Sequence, residues 1–514
     1  MFPARALRRT TSTPCAYTRH TSSPFSSSQR ILRPNSSLAG GTIREESTEE
    51  SDSKASRDQE AAKPILASDP LSAKVGSNYV AKGRALEWEM RRLTAEIKRT
   101  QQRRRFVETT LKGPYTVRTR GYGKIPEHIA DSKIEVKDNQ VTYTDRKIPN
   151  IWLRDNCQCS SCIHDATKQR LLDTFSIPKD IAIESHSFEG EGPSNEVLNI
   201  KWSDGHSSAY PASLIKRTTR SEEIKGDLRR GKTHINLWDS SIASSPPSCY
   251  YQEILGQSQL HLLLGKLHKY GFCYVDHIRF HDPAETKALL ESIAFIRQTH
   301  YGGFYDFTAD LASKDTAYTN IALEAHTDTT YFSDPAGLQA FHLLSHTDGE
   351  GGASLLVDGF KVADELLQTD KNAYKVLSTV NVHAHASGNE GISIQPYRGF
   401  PVLEHDVATG ELLRVRWNSS DRASIELPID EVETWYDAAR KFDALLKKKE
   451  NEYWEQLVPG RVLIFDNWRV LHGRSAFTGK RRICGGYVNR DDWISKYRML
   501  LLGREKVLEE LPVS

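Results

Sequence analysis

A candidate metal site sets the strictest requirement on the fold of this chain. His326 and Asp328 are two residues apart, so on an extended strand both side chains point to the same face. His472 follows an apolar run, 144 residues after Asp328. Two histidines and one carboxylate form the facial triad of non-haem Fe(II) oxygenases, which keeps metal positions open for other ligands. The sequence therefore predicts two strands, distant in the chain, that meet at one metal.

A candidate cosubstrate anchor follows the second histidine. Arg481 lies nine residues after His472, at the start of an alternating segment that is typical of a strand. A guanidinium fork suits a buried carboxylate, so Arg481 is expected to hold the distal carboxylate of 2-oxoglutarate. Arg482 is one residue further along and should face outward. Alone, Arg481 would be interpreted as a surface arginine in a basic cluster, but the nearby triad favours the buried role.

Three closely spaced cysteines indicate a second metal site. Seven cysteines in 514 residues are too few for a disulfide framework, but three of them form a Cys-x-Cys-x2-Cys group: Cys157, Cys159 and Cys162. Three thiolates and one imidazole make a closed tetrahedral zinc set, which would be structural. Sulfur ligands also select zinc over magnesium or calcium. The expected fourth ligand is His206, with His164 and His186 as alternatives.

Short alternating segments around the cysteines predict a small β domain. Residues 133–145 read KIEVKDNQVTYTD, a hairpin candidate with its turn at Asp138-Asn139. Residues 197–210 read VLNIKWSDGHSSAY, a second candidate with its turn at Asp204-Gly205. We therefore expect a small zinc-binding β domain at residues 112–216.

The first 44 residues have the composition of an organelle transit peptide, with seven Arg, fourteen Ser or Thr and no Asp, Glu or Lys. A disordered low-complexity tail is the alternative. Residues 45–111 are expected to form a linker and a basic helix. The whole chain has 69 basic and 67 acidic residues, a balance that argues against a nucleic-acid binder. No run approaches the roughly 20 apolar residues of a membrane span.

From about residue 130 to 505 the chain resembles the carnitine-biosynthesis dioxygenases, the family of trimethyllysine and gamma-butyrobetaine dioxygenases. The matching stretches, in order, are WLRDNCQCSSC, AYTNIALEAHTDTTYF, LLVDGF, DNWRVLHGR and GGYVNRDD. The resemblance implies a mainly β fold with flanking helices. Its double-stranded β-helix (jelly-roll) core, at residues 245–505, would hold Fe(II) and 2-oxoglutarate after the small N-terminal zinc domain. Ascorbate dependence and a homodimer are also implied.

The same resemblance implies further site residues. Ser354 would make a second contact with 2-oxoglutarate, and Arg474 would either border the same site or be a salt-bridged core arginine. A trimethylammonium group cannot donate hydrogen bonds, so aromatic faces would hold it. At the position of Asp315, the resemblance implies an aspartate in the trimethyllysine branch. This carboxylate would pair with the α-ammonium group of the substrate. Asn418 could donate to the substrate carboxylate, or be a simple turn residue. The aromatic cage positions implied are Tyr301, Tyr305, Tyr318 and Tyr487.

The resemblance implies an enzyme that hydroxylates the small molecule N6,N6,N6-trimethyllysine at C3, the first step of carnitine biosynthesis, and the composition of the first 44 residues places it in the mitochondrial matrix. No nucleic-acid or membrane partner is expected. Gamma-butyrobetaine is the alternative substrate, since the cysteine set looks more like that branch. A taurine-dioxygenase-like oxygenase would share the triad and the arginine but need no cationic cage. A non-catalytic binding protein is disfavoured because the metal ligands are intact.

Overall fold

The computed structural model of the chain describes residues 133–144, 146–192, 195–218, 235–256, 259–308, 319–407 and 409–510. The predicted transit peptide, linker and basic helix lie outside these ranges, as do Asp315 and Tyr318. Within them, no helix combines the length and the apolar composition needed to cross a lipid bilayer.

Two small antiparallel sheets form the N-terminal part of the described chain. One contains β1 (Ile134–Lys137), β2 (Gln140–Tyr143) and β3 (Arg146–Ile148); the other contains β4 (Ile183–Glu189), β5 (Val197–Trp202) and β6 (Ser207–Pro211). Both predicted hairpins are confirmed. Asp138 and Asn139 join β1 to β2 with φ of 49° and 59°, as a two-residue turn between twisted strands requires. Gly205 takes φ of 81° in the turn between β5 and β6.

Alternation of apolar residues gives these two sheets a common core. Leu198, Ile200 and Trp202 of β5 are buried, whereas the residues between them are more exposed. They belong to one buried cluster with Val141 of β2 and Leu153 of α1 (Asn150–Asp155). The helix α2 (Ala212–Thr218) follows β6 and buries its apolar side in the same cluster.

The larger part of the described chain is built on two mainly antiparallel sheets. The order in the smaller sheet is β10 (Leu323–His326), β17 (Val470–Arg474), β12 (Ser354–Asp358) and β15 (Tyr453–Glu455). The order in the larger sheet is β7 (Ser248–Tyr250), β8 (Phe272–Asp276), β16 (Arg461–Asp466), β11 (Leu338–Thr347), β18 (Lys480–Val488) and β9 (Tyr305–Thr308). Only the β7–β8 pair in this sheet is parallel.

The inner faces of the two sheets pack against each other. Phe341 of β11 and Phe465 of β16 have ring centroids 5.9 Å apart, and Phe465 lies 4.8 Å from the ring of His472 on β17. Side chains of both sheets share one buried cluster. The result is a jelly-roll core, and the prediction of a mainly β protein with flanking helices is confirmed. A separate hairpin, β13 (Leu403–His405) with β14 (Leu412–Val415), lies outside both sheets.

Helices cover the outer faces of both sheets. The larger sheet packs against α4 (Leu260–Tyr270), α5 (Ala284–Ile293) and α9 (Arg490–Leu502), with α3 (Tyr251–Ile254) beside them. The smaller sheet packs against α6 (Gly359–Thr369), α7 (Lys371–Thr379) and α8 (Val432–Leu446). A last helix, α10 (Arg504–Glu510), follows α9. Each amphipathic helix thus buries one apolar stripe on a sheet.

Buried polar contacts fix the strand that carries the second histidine. Asp358 ends β12, and its carboxylate accepts a hydrogen bond from the Phe360 backbone amide, which caps α6. The same carboxylate pairs with Arg469, with 2.8 Å between Oδ2 and Nη2, in a contact almost closed to solvent. Arg469 immediately precedes β17, so this pair links the two central strands of the smaller sheet. Gly271 ends α4 with a φ of 79°. A Cβ atom on this residue would lie 2.7 Å from the side chain of Val470, the first residue of β17.

Candidate active site and metal clusters

The structure brings the three predicted metal ligands together. His326 on β10 and His472 on β17 are register partners on neighbouring antiparallel strands. Asp328 follows β10, with its Oδ1 3.3 Å from His326 Nε2 and 3.8 Å from His472 Nε2. The three ligand atoms all lie within 4.8 Å of one another, so one divalent cation could contact all three.

Contacts from neighbouring backbone and side chains orient these ligands. The Nδ1 of His326 is 2.8 Å from the Glu324 carbonyl oxygen, so Nδ1 carries the proton and Nε2 is left as the metal donor. The side chain of Asn467 hydrogen-bonds to both the amide and the carbonyl group of Asp328. Its Oδ1 accepts from the Asp328 amide at 2.8 Å, and its Nδ2 donates to the Asp328 carbonyl at 3.0 Å.

The second oxygen of Asp328 is occupied by two donors. Its Oδ2 accepts hydrogen bonds from Gln339 Nε2 and from the Tyr487 hydroxyl, each at 2.7 Å. Burial opposes the charge on Asp328, but His472, His326 and Tyr487 outweigh it and hold the pKa of this carboxyl well below its usual value. Burial, followed by the effect of His326, lowers the pKa of His472 to about 3. A carboxylate and a neutral imidazole are the forms that bind divalent metals.

A single cavity of about 420 Å³ contains this triad and most of the other predicted site residues. Its volume is in the range of small-molecule sites. Besides the triad, the predicted residues that line it are Tyr301, Tyr305, Ser354, Asn418, Arg474, Arg481 and Tyr487.

Arg481 is a buried cation on the wall of this cavity. It is 1% exposed, and its Nε and Nη1 have no hydrogen-bond partner in the described part of the chain. Burial, followed by the effect of Arg474, lowers the pKa of Arg481 to about 10, which leaves it charged at neutral pH. A buried charge is tolerated when an anion pairs with it, so the site fits a carboxylate ligand. Arg482 points away and forms two hydrogen bonds with Asp306, at 2.6 and 2.8 Å.

The two other candidates for the cosubstrate region lie opposite each other on neighbouring strands. Ser354 of β12 is the register partner of Arg474 on β17. The Nη2 of Arg474 donates to the backbone carbonyls of Thr319 and Ile321, at 2.7 and 3.0 Å. Part of this guanidinium therefore holds the chain that leads into β10.

Aromatic side chains form another wall of the cavity. Tyr305 and Tyr487 are in edge-to-face contact, with ring centroids 6.1 Å apart. The Tyr305 hydroxyl donates to the Ala340 carbonyl at 2.7 Å, which fixes its ring. Tyr301 also lines this cavity, and so does Tyr331, which the sequence analysis did not single out. Three of the four predicted cage tyrosines thus share one space, and Tyr318 lies outside the described residues.

Asn418 lines the cavity but makes hydrogen bonds within its own turn. Its Nδ2 donates to Asp421 Oδ2 at 3.0 Å, and its Oδ1 accepts from the Ser420 amide at 3.0 Å. These contacts fit the alternative interpretation of Asn418 as a turn residue.

The sequence analysis missed the residues that support Asp328. Gln339 is a lone amide in the apolar strand β11, and Asn467 follows the buried strand β16. A polar residue within or just after an apolar strand is a signal for a buried hydrogen-bond network. This signal does not identify the hydrogen-bond partner of Asn467, however, because Asp328 is 139 residues away in the sequence.

The four residues predicted to bind zinc also form one cluster. The His206 Nε2 lies 3.4 Å from the sulfur of Cys157 and 3.5 Å from those of Cys159 and Cys162. Tetrahedral zinc with Zn–S of about 2.3 Å and Zn–N of about 2.0 Å would separate sulfur and nitrogen by about 3.5 Å. The donor set and its spacing therefore fit zinc.

The alternative histidines lie outside this cluster. His164 contacts Thr167 through its Nδ1, at 3.2 Å from the amide and 3.1 Å from the hydroxyl. His186 is exposed on β4 beside Phe188. Burial, followed by the charge of Cys157, raises the pKa of Cys162 to about 12, so zinc binding would have to displace its proton.

Two family models match this chain. Residues 250–487 match the "Taurine catabolism dioxygenase TauD, TfdA family", and residues 127–216 match "Gamma-butyrobetaine hydroxylase-like, N-terminal". The first contains the jelly-roll strands with the triad, and the second contains the cysteine cluster.

Curated relatives match over most of their length. Trimethyllysine dioxygenase of Neurospora crassa is 47% identical over 399 residues, which cover 70% of this chain and 82% of the relative. The human protein named trimethyllysine dioxygenase, mitochondrial, is 39% identical over 358 residues, covering 68% and 82%. Gamma-butyrobetaine dioxygenase of Pongo abelii is 28% identical over 360 residues, covering 68% and 90%. This chain therefore belongs to the trimethyllysine dioxygenase family.

Proposed function

We propose that this protein hydroxylates N6,N6,N6-trimethyllysine at C3, using Fe(II), 2-oxoglutarate and dioxygen. The observation that carries the proposal is the shared cavity, in which the His326, Asp328 and His472 cluster lies beside the buried cation of Arg481. An open metal site and a carboxylate anchor are the two features that a keto-acid cosubstrate needs. Membership of the trimethyllysine dioxygenase family supports the choice of substrate.

In this proposal the triad holds iron through two imidazole nitrogens and one carboxylate oxygen. When bound, Fe(II) and 2-oxoglutarate would supply, with dioxygen, oxidative decarboxylation to succinate and carbon dioxide, in which one oxygen atom enters succinate and the other serves C–H hydroxylation. Arg481 binds the distal carboxylate of the cosubstrate, and Ser354 and Arg474 border it. The apolar walls around Phe341 and Ile483 limit the access of water to the reacting atoms.

The tyrosine wall would hold the cationic end of the substrate. Tyr301, Tyr305 and Tyr487 offer aromatic faces to a trimethylammonium group, which binds such faces without any hydrogen bond. Tyr318 and Asp315 lie outside the described residues and remain part of the proposal. Asp315 would pair with the substrate α-ammonium, a group that gamma-butyrobetaine lacks. Asn418 is held in its turn by Asp421 and Ser420, and would contact the substrate carboxylate through the second hydrogen of its Nδ2.

We further propose structural zinc at Cys157, Cys159, Cys162 and His206, within the small β domain at residues 112–216. The catalytic domain would extend over residues 245–505. Vertebrate relatives are named mitochondrial, and the composition of residues 1–44 suits import, so we assign the mitochondrial matrix. Ascorbate would keep the iron reduced, and the protein would act as a homodimer.

The test offers purified, Fe(II)-reconstituted protein 2-oxoglutarate and oxygen with trimethyllysine, gamma-butyrobetaine or unmethylated lysine in separate reactions. A gain of one oxygen atom in the mass of trimethyllysine alone, with matching succinate, is the expected result. The same gain mainly on gamma-butyrobetaine would overturn the substrate. Hydroxylation of unmethylated lysine at an equal rate would contradict the aromatic cage. An ammonium group can donate hydrogen bonds and does not depend on aromatic faces, so the cage should favour the trimethylated substrate.

A further inference from the structure

Each oxygen of Asp328 has a different environment. Oδ1 faces the two histidine nitrogens, at 3.3 and 3.8 Å. Oδ2 accepts a hydrogen bond from Gln339 and another from Tyr487, both at 2.7 Å. We propose that Gln339 and Tyr487 are positioning residues that restrict Asp328 to one metal-binding oxygen.

The positions of these two residues in the fold make them suited to this role. Gln339 lies on β11 and Tyr487 on β18, and they are register partners in the larger sheet. Asp328 belongs to the segment that follows β10 of the smaller sheet. The two donors therefore reach across the sandwich from one rigid ladder, and their separation is set by strand pairing. Gln339 is 2% exposed and Tyr487 6%, so water has little access to either donor.

The Gln339 amide carries a second sign of this role. Only its Nε2 can donate to a carboxylate, which fixes the orientation of the amide. Its Oε1 is then buried with no hydrogen-bond partner in the described part of the chain. An unpartnered buried acceptor is unfavourable and calls for an explanation. The bond from Nε2 to Asp328 supplies one, since the opposite orientation would set two acceptors against each other.

The consequence for the site is an open coordination position. A carboxylate can bind a metal through one oxygen or through both. With both oxygens of Asp328 on the metal, Oδ2 would take one of the three positions that the triad leaves open in an octahedral site, so a bidentate keto acid would have to compete with it and dioxygen would be left without a position. The bonds to Oδ2 favour the one-oxygen mode. Because this role presupposes the iron and 2-oxoglutarate chemistry proposed above, a failure of that chemistry in the unaltered protein would remove it too.

The same geometry gives Tyr487 two separable functions. Its ring is part of the cavity wall, whereas its hydroxyl donates a hydrogen bond to the Asp328 carboxylate. Tyr487→Phe keeps the ring and removes the donor, and Gln339→Met keeps the approximate length of the side chain and removes the other donor. Tyr453→Phe is the matched control, since that buried hydroxyl donates to the Glu455 carboxylate at 3.1 Å and does not line the cavity.

The experiment measures, without oxygen, the affinity of each protein for Fe(II) and then the affinity of the Fe(II) form for 2-oxoglutarate. The readout is the visible charge-transfer absorption of the chelate. For the Tyr487→Phe, Gln339→Met double variant we expect Fe(II) binding close to that of the unaltered protein, because the freed second oxygen of Asp328 would bind the metal and offset the lost contacts, and about tenfold weaker 2-oxoglutarate binding. Each single variant should give a smaller part of this change, and the control none.

Three outcomes would count against the role. If 2-oxoglutarate binds the iron-loaded double variant as tightly as the unaltered protein, the coordination argument is wrong. If Fe(II) affinity and the unfolding temperature both fall while 2-oxoglutarate affinity per bound iron stays the same, the two residues are only structural. If the unaltered protein forms no chelate, the proposed function fails first, and this result is distinct from the other two.

Discussion

His326 and His472 are direct cross-strand partners on β10 and β17, with ring centroids 4.3 Å apart. Side chains opposite each other in an antiparallel pair point to the same face, so one strand pairing sets the separation of both imidazoles. Asp328, two residues after His326, adds the third ligand through a local turn. The candidate metal site therefore depends on a single strand register, and a shift of that register by one residue would destroy the site.

Replacing the carboxylate ligand tests the triad. Asp328→Ala should reduce trimethyllysine hydroxylation by more than about a hundredfold, because loss of an outer-shell partner alone typically costs ten- to a hundredfold. Bound iron per chain should fall as well. Product mass and iron content are the measurements, with the exposed Asp437→Ala as the control. Full iron content together with normal turnover would exclude Asp328 from the metal site.

Two adjacent arginines offer a matched test of the cosubstrate anchor. Arg481→Lys should raise the KM for 2-oxoglutarate by about ten- to a hundredfold, since a lysine retains the charge but loses the two-pronged contact. The kcat at saturating cosubstrate should change much less, as for a loss of uniform binding. Arg482→Lys alters only the exposed pair with Asp306 and should leave the KM unchanged. Equal KM values for the two variants would contradict the assignment.

Much of the candidate site could be predicted from sequence because its signals are local. His326-x-Asp328 is informative because i and i+2 share a strand face, and the cysteine group is informative because three thiols in six residues suit a metal. Both N-terminal hairpins were correct because Asp138-Asn139 and Asp204-Gly205 tolerate positive φ. In each case one short segment contains the whole pattern.

The supporting contacts could not be predicted because they join elements that meet only in the folded protein, even where the two residues are 11 apart in sequence, as Gln339 and Asp328 are. Gln339, Asn467 and Tyr487 reach Asp328 only after the two sheets have packed together. Tyr487 was predicted as a cage aromatic from the family pattern, and the structure gives its hydroxyl a second contact. The pairing of Arg469 with Asp358 also spans 111 residues. Such partners depend on the three-dimensional packing rather than on spacing in the sequence.

A buried arginine provides a test of the zinc cluster. Arg154 donates through Nε to Asp204 at 2.7 Å and through Nη1 to the Cys162 sulfur at 3.5 Å, and the Asp204 carboxylate accepts from the His206 amide. It thus links the segment that carries the cysteines to the turn that carries the histidine. Arg154→Gln should weaken zinc binding by about ten- to a hundredfold.

Zinc transfer to a chromophoric chelator, followed together with the unfolding temperature, measures this effect. Arg170→Gln is the control, because it removes a more exposed pair with Asp155 in the same part of the chain. If the two variants lost zinc at the same chelator concentration, Arg154 would have no special connection with the metal. Retention of zinc by both variants would lead to the same conclusion.

Substrate choice can be tested at a residue outside the described ranges. Asp315→Asn should lower kcat/KM for trimethyllysine by about ten- to a hundredfold, because a charge-assisted bond to the α-ammonium would be lost. Gamma-butyrobetaine has no α-ammonium and carries a carboxylate that Asp315 would repel, so its turnover should stay constant or rise. The second substrate is thus an internal control, and an unchanged Fe(II)–2-oxoglutarate absorption would show that the metal site is intact. Equal changes in kcat/KM for both substrates would mean that Asp315 does not select between them. Another carboxylate of the cavity, such as Asp421, would then have to recognise the α-ammonium group.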